Sequence, residues 1–188
     1  MKIVTLLGSA KKKGNTATVL GWTEDELRAL GHEVERVELA NANISGCMGC
    51  AKCRKHPDEI ACVQNDDANS ILAKMIAADA VLFASPLYFW SFTAQMKLLI
   101  DRTYALVANY LQPNQISLMQ DKRIGLIATG GSTYEDNAEA MFTTFDRLAG
   151  FLMAEKAGEL YAQCQSHPSR VPANVEEKAK ELARSLTA

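Results

Sequence analysis

The chain lacks a strong charge of either sign, a long apolar run and a secretory leader pattern. Its 20 Lys and Arg nearly balance 22 Asp and Glu, which gives a net charge of −2. Nucleic acids and anionic membranes call for a clustered basic face, so this balance argues against either as the main partner. No apolar run approaches the roughly 20 residues that span a bilayer. At the start, the lysines follow the short apolar stretch, which is the reverse of a secretory signal. These features predict a cytoplasmic protein.

The number and the spacing of the cysteines argue against a disulfide framework. There are five, an odd number, and four of them lie between Cys47 and Cys62. In a reducing compartment such a group indicates metal binding, redox chemistry or simply unused thiols.

Apolar and amphipathic segments alternate along the 188 residues, without repeats or linkers, and predict one domain over residues 1–188. Strands are predicted at residues 2–7, 34–39, 80–84, 122–128 and 159–162, with the second near a sheet edge. Helices are predicted around residues 17–30, after a cap at Asp66 or Asp67, and over residues 93–109, 137–152 and 171–186. The pattern favours a doubly wound α/β fold: a five-stranded parallel sheet in a three-layer α/β/α sandwich. Ligands of such sheets bind beyond the carboxyl ends of the strands.

Three loops that follow predicted strands carry unusual residues. The first, residues 8–16, offers Ser9, Lys11, Asn15 and Thr16 at a helix start, which suits a phosphate; a capped turn with solvated lysines is the alternative. The second, residues 85–92, has four aromatic residues in five positions, which suits a flat ligand, a subunit contact or the core. The third, residues 129–132, contains two adjacent glycines that permit a close approach of the backbone. Together the loops have the shape of a site for FMN.

The motifs G-S-A-K-K-K-G-N-T, S-P-L-Y, A-Q-M-K and I-D-R resemble those of the NAD(P)H-dependent FMN reductases and iron–sulfur flavoproteins of the flavodoxin superfamily. The resemblance implies a flavodoxin-like α/β fold in which Ser9, Lys11, Asn15 and Thr16 hold the FMN phosphate. It also implies that two groups surround the isoalloxazine: Pro86, Leu87, Tyr88, Phe89 and Trp90, and Thr129, Gly130 and Gly131. NAD(P)H would then reduce the flavin and a small-molecule acceptor would reoxidise it, with no catalytic side chain required. A homodimer or homotetramer is expected, because such families often place the flavin at a subunit contact.

The cysteine spacing leaves several hypotheses open. Cys47, Cys50, Cys53 and Cys62 can supply four thiolates to a [4Fe–4S] cluster or to Zn²⁺, or they can remain metal-free thiols or form a redox disulfide. They resemble the cysteine motif of iron–sulfur flavoproteins, although eight residues separate Cys53 from Cys62, a longer gap than usual there. The leading functional hypothesis is an FMN-dependent NAD(P)H oxidoreductase that reduces a quinone-like, nitro or other small acceptor. The alternatives are a flavodoxin-type carrier, a cluster-containing flavoprotein and a scaffold without flavin.

Overall fold

Strands and helices alternate in the computed structural model, which describes residues 1–56, 58–164, 168 and 171–188. The first half contains β1 (Lys2–Leu7), α1 (Asn15–Ala29), β2 (Glu33–Glu38), α2 (Asp67–Ala77), β3 (Ala80–Pro86) and α3 (Ala94–Arg102). The second half contains β4 (Val107–Ala108), β5 (Ile116–Ser117), β6 (Arg123–Gly130), α4 (Glu139–Leu152), β7 (Glu155–Gln163) and α5 (Ala173–Thr187).

Five of the strands form one parallel sheet in the order β2-β1-β3-β6-β7. The apolar strands β1, β3 and β6 lie in the centre, where both faces are covered. The strand β2, which alternates charged and apolar residues, is at one edge, as predicted. Counted within this sheet, the order is the flavodoxin-like 2-1-3-4-5, in which the connections reverse direction between β1 and β3.

Helices cover both faces of the sheet, which confirms the predicted three-layer sandwich. On one face, α1 and α5 pack over the central strands and bury Leu20 and Leu182. On the other face, α2, α3 and α4 enclose a second apolar core, in which the Phe83 and Phe145 rings meet edge to face at 5.6 Å. Burial of this kind stabilises the fold by about 25 cal/mol per Å² of apolar area.

Local signals set several helix ends. The Oδ1 atom of Asp66 accepts a hydrogen bond from the Ala68 backbone N–H and caps α2. Gly31, with φ of +87°, follows the end of α1, where the left-handed conformation favours glycine. Among the described residues, no helix is long and apolar enough to cross a membrane.

The helix predicted over residues 93–109 is shorter in the structure. It ends at Arg102 and tightens into a 3-10 turn over Thr103–Leu106, and β4 then pairs antiparallel with β5. The Thr103 hydroxyl donates to the Ile100 carbonyl at 2.7 Å, inside the turn where the α-helix stops. The last strand of the sheet is longer than the predicted 159–162, because β7 begins with Glu155 and Lys156 at a sheet edge, where charged side chains reach solvent.

Candidate functional site

The three predicted loops meet in a cleft of about 200 Å³ at the carboxyl ends of β1, β3 and β6. All of the predicted cofactor residues line it except Phe89 and Trp90. The lining consists of Ser9, Lys11, Gly14, Asn15, Thr16, Pro86, Leu87, Tyr88, Thr129, Gly130, Gly131 and Cys164. We call this site the strand-end cleft.

The first loop directs the start of α1 into the strand-end cleft. The Gly14 N–H donates to the Lys11 carbonyl at 3.1 Å, and the Lys11 N–H donates to Ser9 Oγ at 3.1 Å, which folds the loop into a tight turn. Within the described residues, no side chain caps this helix and none in its first turn is acidic. The helix start therefore presents backbone N–H groups and a partial positive charge, the arrangement that binds phosphate groups.

Hydrogen bonds between the loops hold them in one arrangement. The hydroxyls of Thr16 and Thr129, both buried, lie 2.7 Å apart and join the first loop to the third. The Thr93 hydroxyl donates to the Gly8 carbonyl at 2.6 Å, which joins the second loop to the first. The Leu87 N–H donates to the Thr129 carbonyl at 2.8 Å, which joins the second loop to the third. The cleft is thus pre-formed in the protein.

Phe89 and Trp90 lie outside the cleft lining, and their predicted place around a flavin ring stays a prediction. They occupy a tight turn in which Tyr88 and Ser91 exchange two backbone hydrogen bonds of 3.0 and 3.1 Å. Both have left-handed backbone, with φ of +47° and +61°. In this turn Phe89 is 90% and Trp90 58% exposed. Tyr88, at the start of the turn, is the aromatic residue of this loop that lines the cleft.

Cys164, which lies far along the chain from the other four cysteines, also lines the cleft. It is buried and its N–H donates to the Gly130 carbonyl at 2.8 Å. Burial raises the pKa of its thiol. Its position directly after β7 was the available signal, because all parallel strands of the sheet end at the same edge.

The four clustered cysteines line a second cavity of about 480 Å³, larger than the strand-end cleft. All four have free thiols. Burial, followed by the proximity of Cys62, raises the pKa of Cys53. Over the part of the chain that the structure describes, no three His, Cys, Asp or Glu side chains are grouped as ligands of a metal ion. The predicted metal role of Cys47, Cys50, Cys53 and Cys62 therefore stays a prediction.

A buried ion pair closes the cysteine loop, which we define as residues 46–63. Just beyond its end, Asp66 Oδ2 accepts from the Ser45 N–H at 2.9 Å and from Arg102 Nη1 at 2.7 Å. The same Nη1 also donates to the Ser45 carbonyl at 3.1 Å. Burial opposes ionisation of Asp66, but the Arg102 guanidinium and the donating N–H groups outweigh it and lower the pKa of this carboxyl. Both ends of the loop are thereby fastened to the last residue of α3.

The parallel strand order and the strand-end cleft define a flavodoxin-like α/β protein. The chain belongs to the NADPH-dependent FMN reductase family, whose sequence profile matches residues 1–161. The resemblance inferred from the motifs is therefore confirmed.

Curated relatives include iron–sulfur flavoproteins of archaea. The protein from Archaeoglobus fulgidus is 41% identical over 102 residues, which are 54% of this chain and 45% of that protein. The protein from Methanocaldococcus jannaschii is 32% identical over 132 residues, 70% of this chain and 63% of that protein. The chain thus spans less than two thirds of the length of either relative.

The fold also matches solved structures. The NAD(P)H:quinone oxidoreductase from Methanothermobacter marburgensis superimposes with a TM-score of 0.78 at 19% identity. The match covers 100% of this chain and 98% of the other. At this level of identity the likeness confirms the flavodoxin-like fold.

Proposed function

We propose that this chain is an FMN-dependent NAD(P)H oxidoreductase that passes electrons to a quinone-like, nitro or other small acceptor. One observation carries the proposal: three strand-end loops are tied into a single cleft whose lining includes a helix start and two adjacent glycines. Membership of the NADPH-dependent FMN reductase family supports it. The larger cysteine-lined cavity is the less suitable flavin site, because none of the described residues that line it begins an α-helix that could receive the phosphate.

FMN fits the residues of the cleft. Ser9, Lys11, Asn15 and Thr16 would hold its phosphate at the start of α1, where N–H groups and the lysine supply positive charge. Gly131 fits the ring end, because a Cβ built there meets no heavy atom within 4 Å, so its backbone borders open space. When bound, FMN supplies the chemistry of hydride acceptance from a nicotinamide.

The protein's own contribution is to bind and orient. Tyr88, 55% exposed at the mouth of the cleft, can stack against a ring or a second ligand. The contact between the Thr16 and Thr129 hydroxyls holds the start of α1 against the loop after β6, so these two walls of the cleft are joined before a ligand binds. The cleft opens to solvent, which leaves access for a nicotinamide and then for an acceptor.

Comparing FMN with riboflavin tests the proposed function. The wild type should bind FMN about 10- to 100-fold more tightly than riboflavin, since charge-assisted hydrogen bonds to a phosphate are worth about 1.5–3 kcal/mol. Lys11→Met should remove most of that difference without changing riboflavin affinity. Lys13→Met is the matched control, because Lys13 is exposed and outside the cleft lining. Equal affinities for FMN and riboflavin in the wild type would contradict the phosphate assignment.

Steady-state kinetics test the reaction itself. The FMN-loaded protein should oxidise NADH or NADPH with a quinone acceptor, and the ratio of the two rates gives the nicotinamide preference. An electron carrier without a nicotinamide site would bind FMN but leave both nicotinamides unoxidised. That result would favour the flavodoxin-type alternative.

We further propose that the chain forms a homodimer or homotetramer through the exposed aromatic turn. Phe89 and Trp90, in the loop after β3, expose their rings to solvent, with the ring centroids 6.3 Å apart. Exposed aromatic residues of this kind are typical of protein interfaces. Light scattering at micromolar concentration should give an oligomer mass, and a monomer would count against the proposal. The cytoplasmic location stays a prediction from the sequence.

A second candidate function is that of an iron–sulfur flavoprotein, with a [4Fe–4S] cluster beside the flavin. The observation that favours it is that Cys47, Cys50, Cys53 and Cys62 all border one cavity. Four thiols are the donor set that such a cluster takes. Iron and acid-labile sulfide should be measured in anaerobically purified protein. The control variant is Cys164→Ala, which should contain as much of both as the wild type, because Cys164 lies outside this cavity. Absence of both iron and sulfide after reconstitution would exclude this candidate.

A further inference from the structure

We propose that Tyr161 is a positioning residue of the strand-end cleft: its hydroxyl fixes the loop that follows β6 and thereby sets where Gly130 and Gly131 stand against a bound ring. The inference rests on the proposed function, because it concerns how the same cleft receives FMN. Tyr161 is absent from the cleft lining and from the sequence motifs, so it acts through the glycines rather than on the ligand.

Tyr161 reaches the loop from the neighbouring strand. Tyr161 lies on β7 and pairs with Ala128 of β6. Ala128 is two residues before Gly130, the first of the two glycines. Its ring packs among aromatic side chains on the α4 face of the sheet, 5.7 Å from the Tyr134 ring and 6.3 Å from that of Phe142. These contacts hold the ring, so its hydroxyl has one position relative to the loop.

That hydroxyl joins two separate parts of the loop. It donates to the Ser132 carbonyl at 2.7 Å and accepts from Asn137 Nδ2 at 3.0 Å. Asn137 Nδ2 in turn donates to the Thr133 carbonyl at 2.9 Å. Burial raises the pKa of Tyr161, so the hydroxyl remains a donor at neutral pH. One side chain thus replaces the regular backbone pairing that a loop lacks.

The same hydroxyl explains the first glycine of the pair. A Cβ at position 130 would overlap the Tyr161 hydroxyl and come within 3.2 Å of Cζ. Glycine is therefore required there by the tyrosine, whereas Gly131 faces open space. The two glycines have different roles: Gly130 admits the positioning side chain, and Gly131 leaves its backbone accessible to a ligand.

Flavin titration of Tyr161→Phe tests the inference. We expect the Kd for FMN and the Kd for riboflavin to rise together, by about 10-fold, because the ring end is affected and the phosphate end is not. The visible flavin band should shift as well. Tyr134→Phe is the matched control and should change each Kd by less than about twofold. The Tyr134 ring packs on the same cluster, and within the described residues no hydrogen bond of its hydroxyl is found.

A double variant separates positioning from general loss of structure. Gly130→Ala should weaken flavin binding by more than about 30-fold, since the new Cβ displaces the loop or the tyrosine. Adding Tyr161→Phe removes the overlapping hydroxyl, so the double variant should bind at least about fivefold more tightly than Gly130→Ala alone. Losses that simply multiply, or a Tyr161→Phe variant with wild-type affinity and spectrum, would overturn the inference. Failure of the wild type to bind FMN would instead overturn the proposed function.

Discussion

Neutralising Asp66 should destabilise the protein far more than neutralising an exposed carboxylate of the same region. In Asp66→Asn, the amide oxygen in the place of Oδ1 can still cap α2, so the change falls on Oδ2, which faces Arg102 and the Ser45 N–H. The Arg102 side chain is 0% and that of Asp66 5% exposed, so solvent does not replace the lost partner.

The magnitude follows from this burial. Removing one partner of a buried ion pair costs about 3–5 kcal/mol, because the other charge stays buried and uncompensated. We expect a loss of at least about 3 kcal/mol, since the amide nitrogen that takes the place of Oδ2 cannot accept from the guanidinium or from the Ser45 N–H. For a chain of this size, this corresponds to a decrease in Tm of about 6–12 °C.

Urea unfolding provides the measurement, read as a change in midpoint at constant m-value. Asp101→Asn is the matched control: its pair with Lys97 is 44–49% exposed and should contribute less than about 1 kcal/mol. The pKa of Asp66 is lowered in the folded state. Its stabilisation is therefore complete above its unfolded pKa, near 3.9, and is lost as the pH falls below about 4. Equal effects of the two variants, or a difference that persists unchanged to pH 2, would refute the reasoning.

Three further substitutions have defined outcomes. Thr93→Val removes the cap of α3 and a bond to the first loop, and should lower the free energy of unfolding by about 1–2 kcal/mol by calorimetry; an unchanged Tm would contradict this. Phe89→Asn with Trp90→Gly suits the left-handed turn and should raise monomer stability by about 1 kcal/mol, while light scattering shows loss of self-association; a retained oligomer would exclude this turn as the interface. Thr129→Val breaks the hydroxyl contact with Thr16 and should cost about 1 kcal/mol in urea unfolding and weaken FMN binding severalfold; wild-type binding would argue against a pre-set cleft.

The sheet and the meeting of the three loops were predictable from the sequence, for a topological reason. Apolar runs such as that of β3 mark strands buried on both faces, and such strands form parallel sheets. Once the strands are parallel, the residues that follow them must lie at one edge, so Ser9, Pro86 and Gly130 come together without any knowledge of side-chain contacts.

Other features depend on contacts that no local pattern encodes. The strands β4 and β5 have two residues each, too few to show a period, and so the predicted third helix ran on past Arg102. The burial of Arg102 is decided by Asp66, which is 36 residues away in the chain. The exposed turn at Phe89 and Trp90 has left-handed backbone, which aromatic residues rarely adopt.

The short helix α3 fixes the distance between the strand-end cleft and the cysteine loop. Its cap, Thr93, is bonded to the loops of the strand-end cleft, and its last residue, Arg102, is bonded to the ends of the cysteine loop. Nine residues of α-helix form a rod about 13 Å long. A ligand bound by the thiols and a ligand bound in the cleft would therefore both be positioned by α3. The distance between them would be set by the length of this helix rather than by the mobility of a loop.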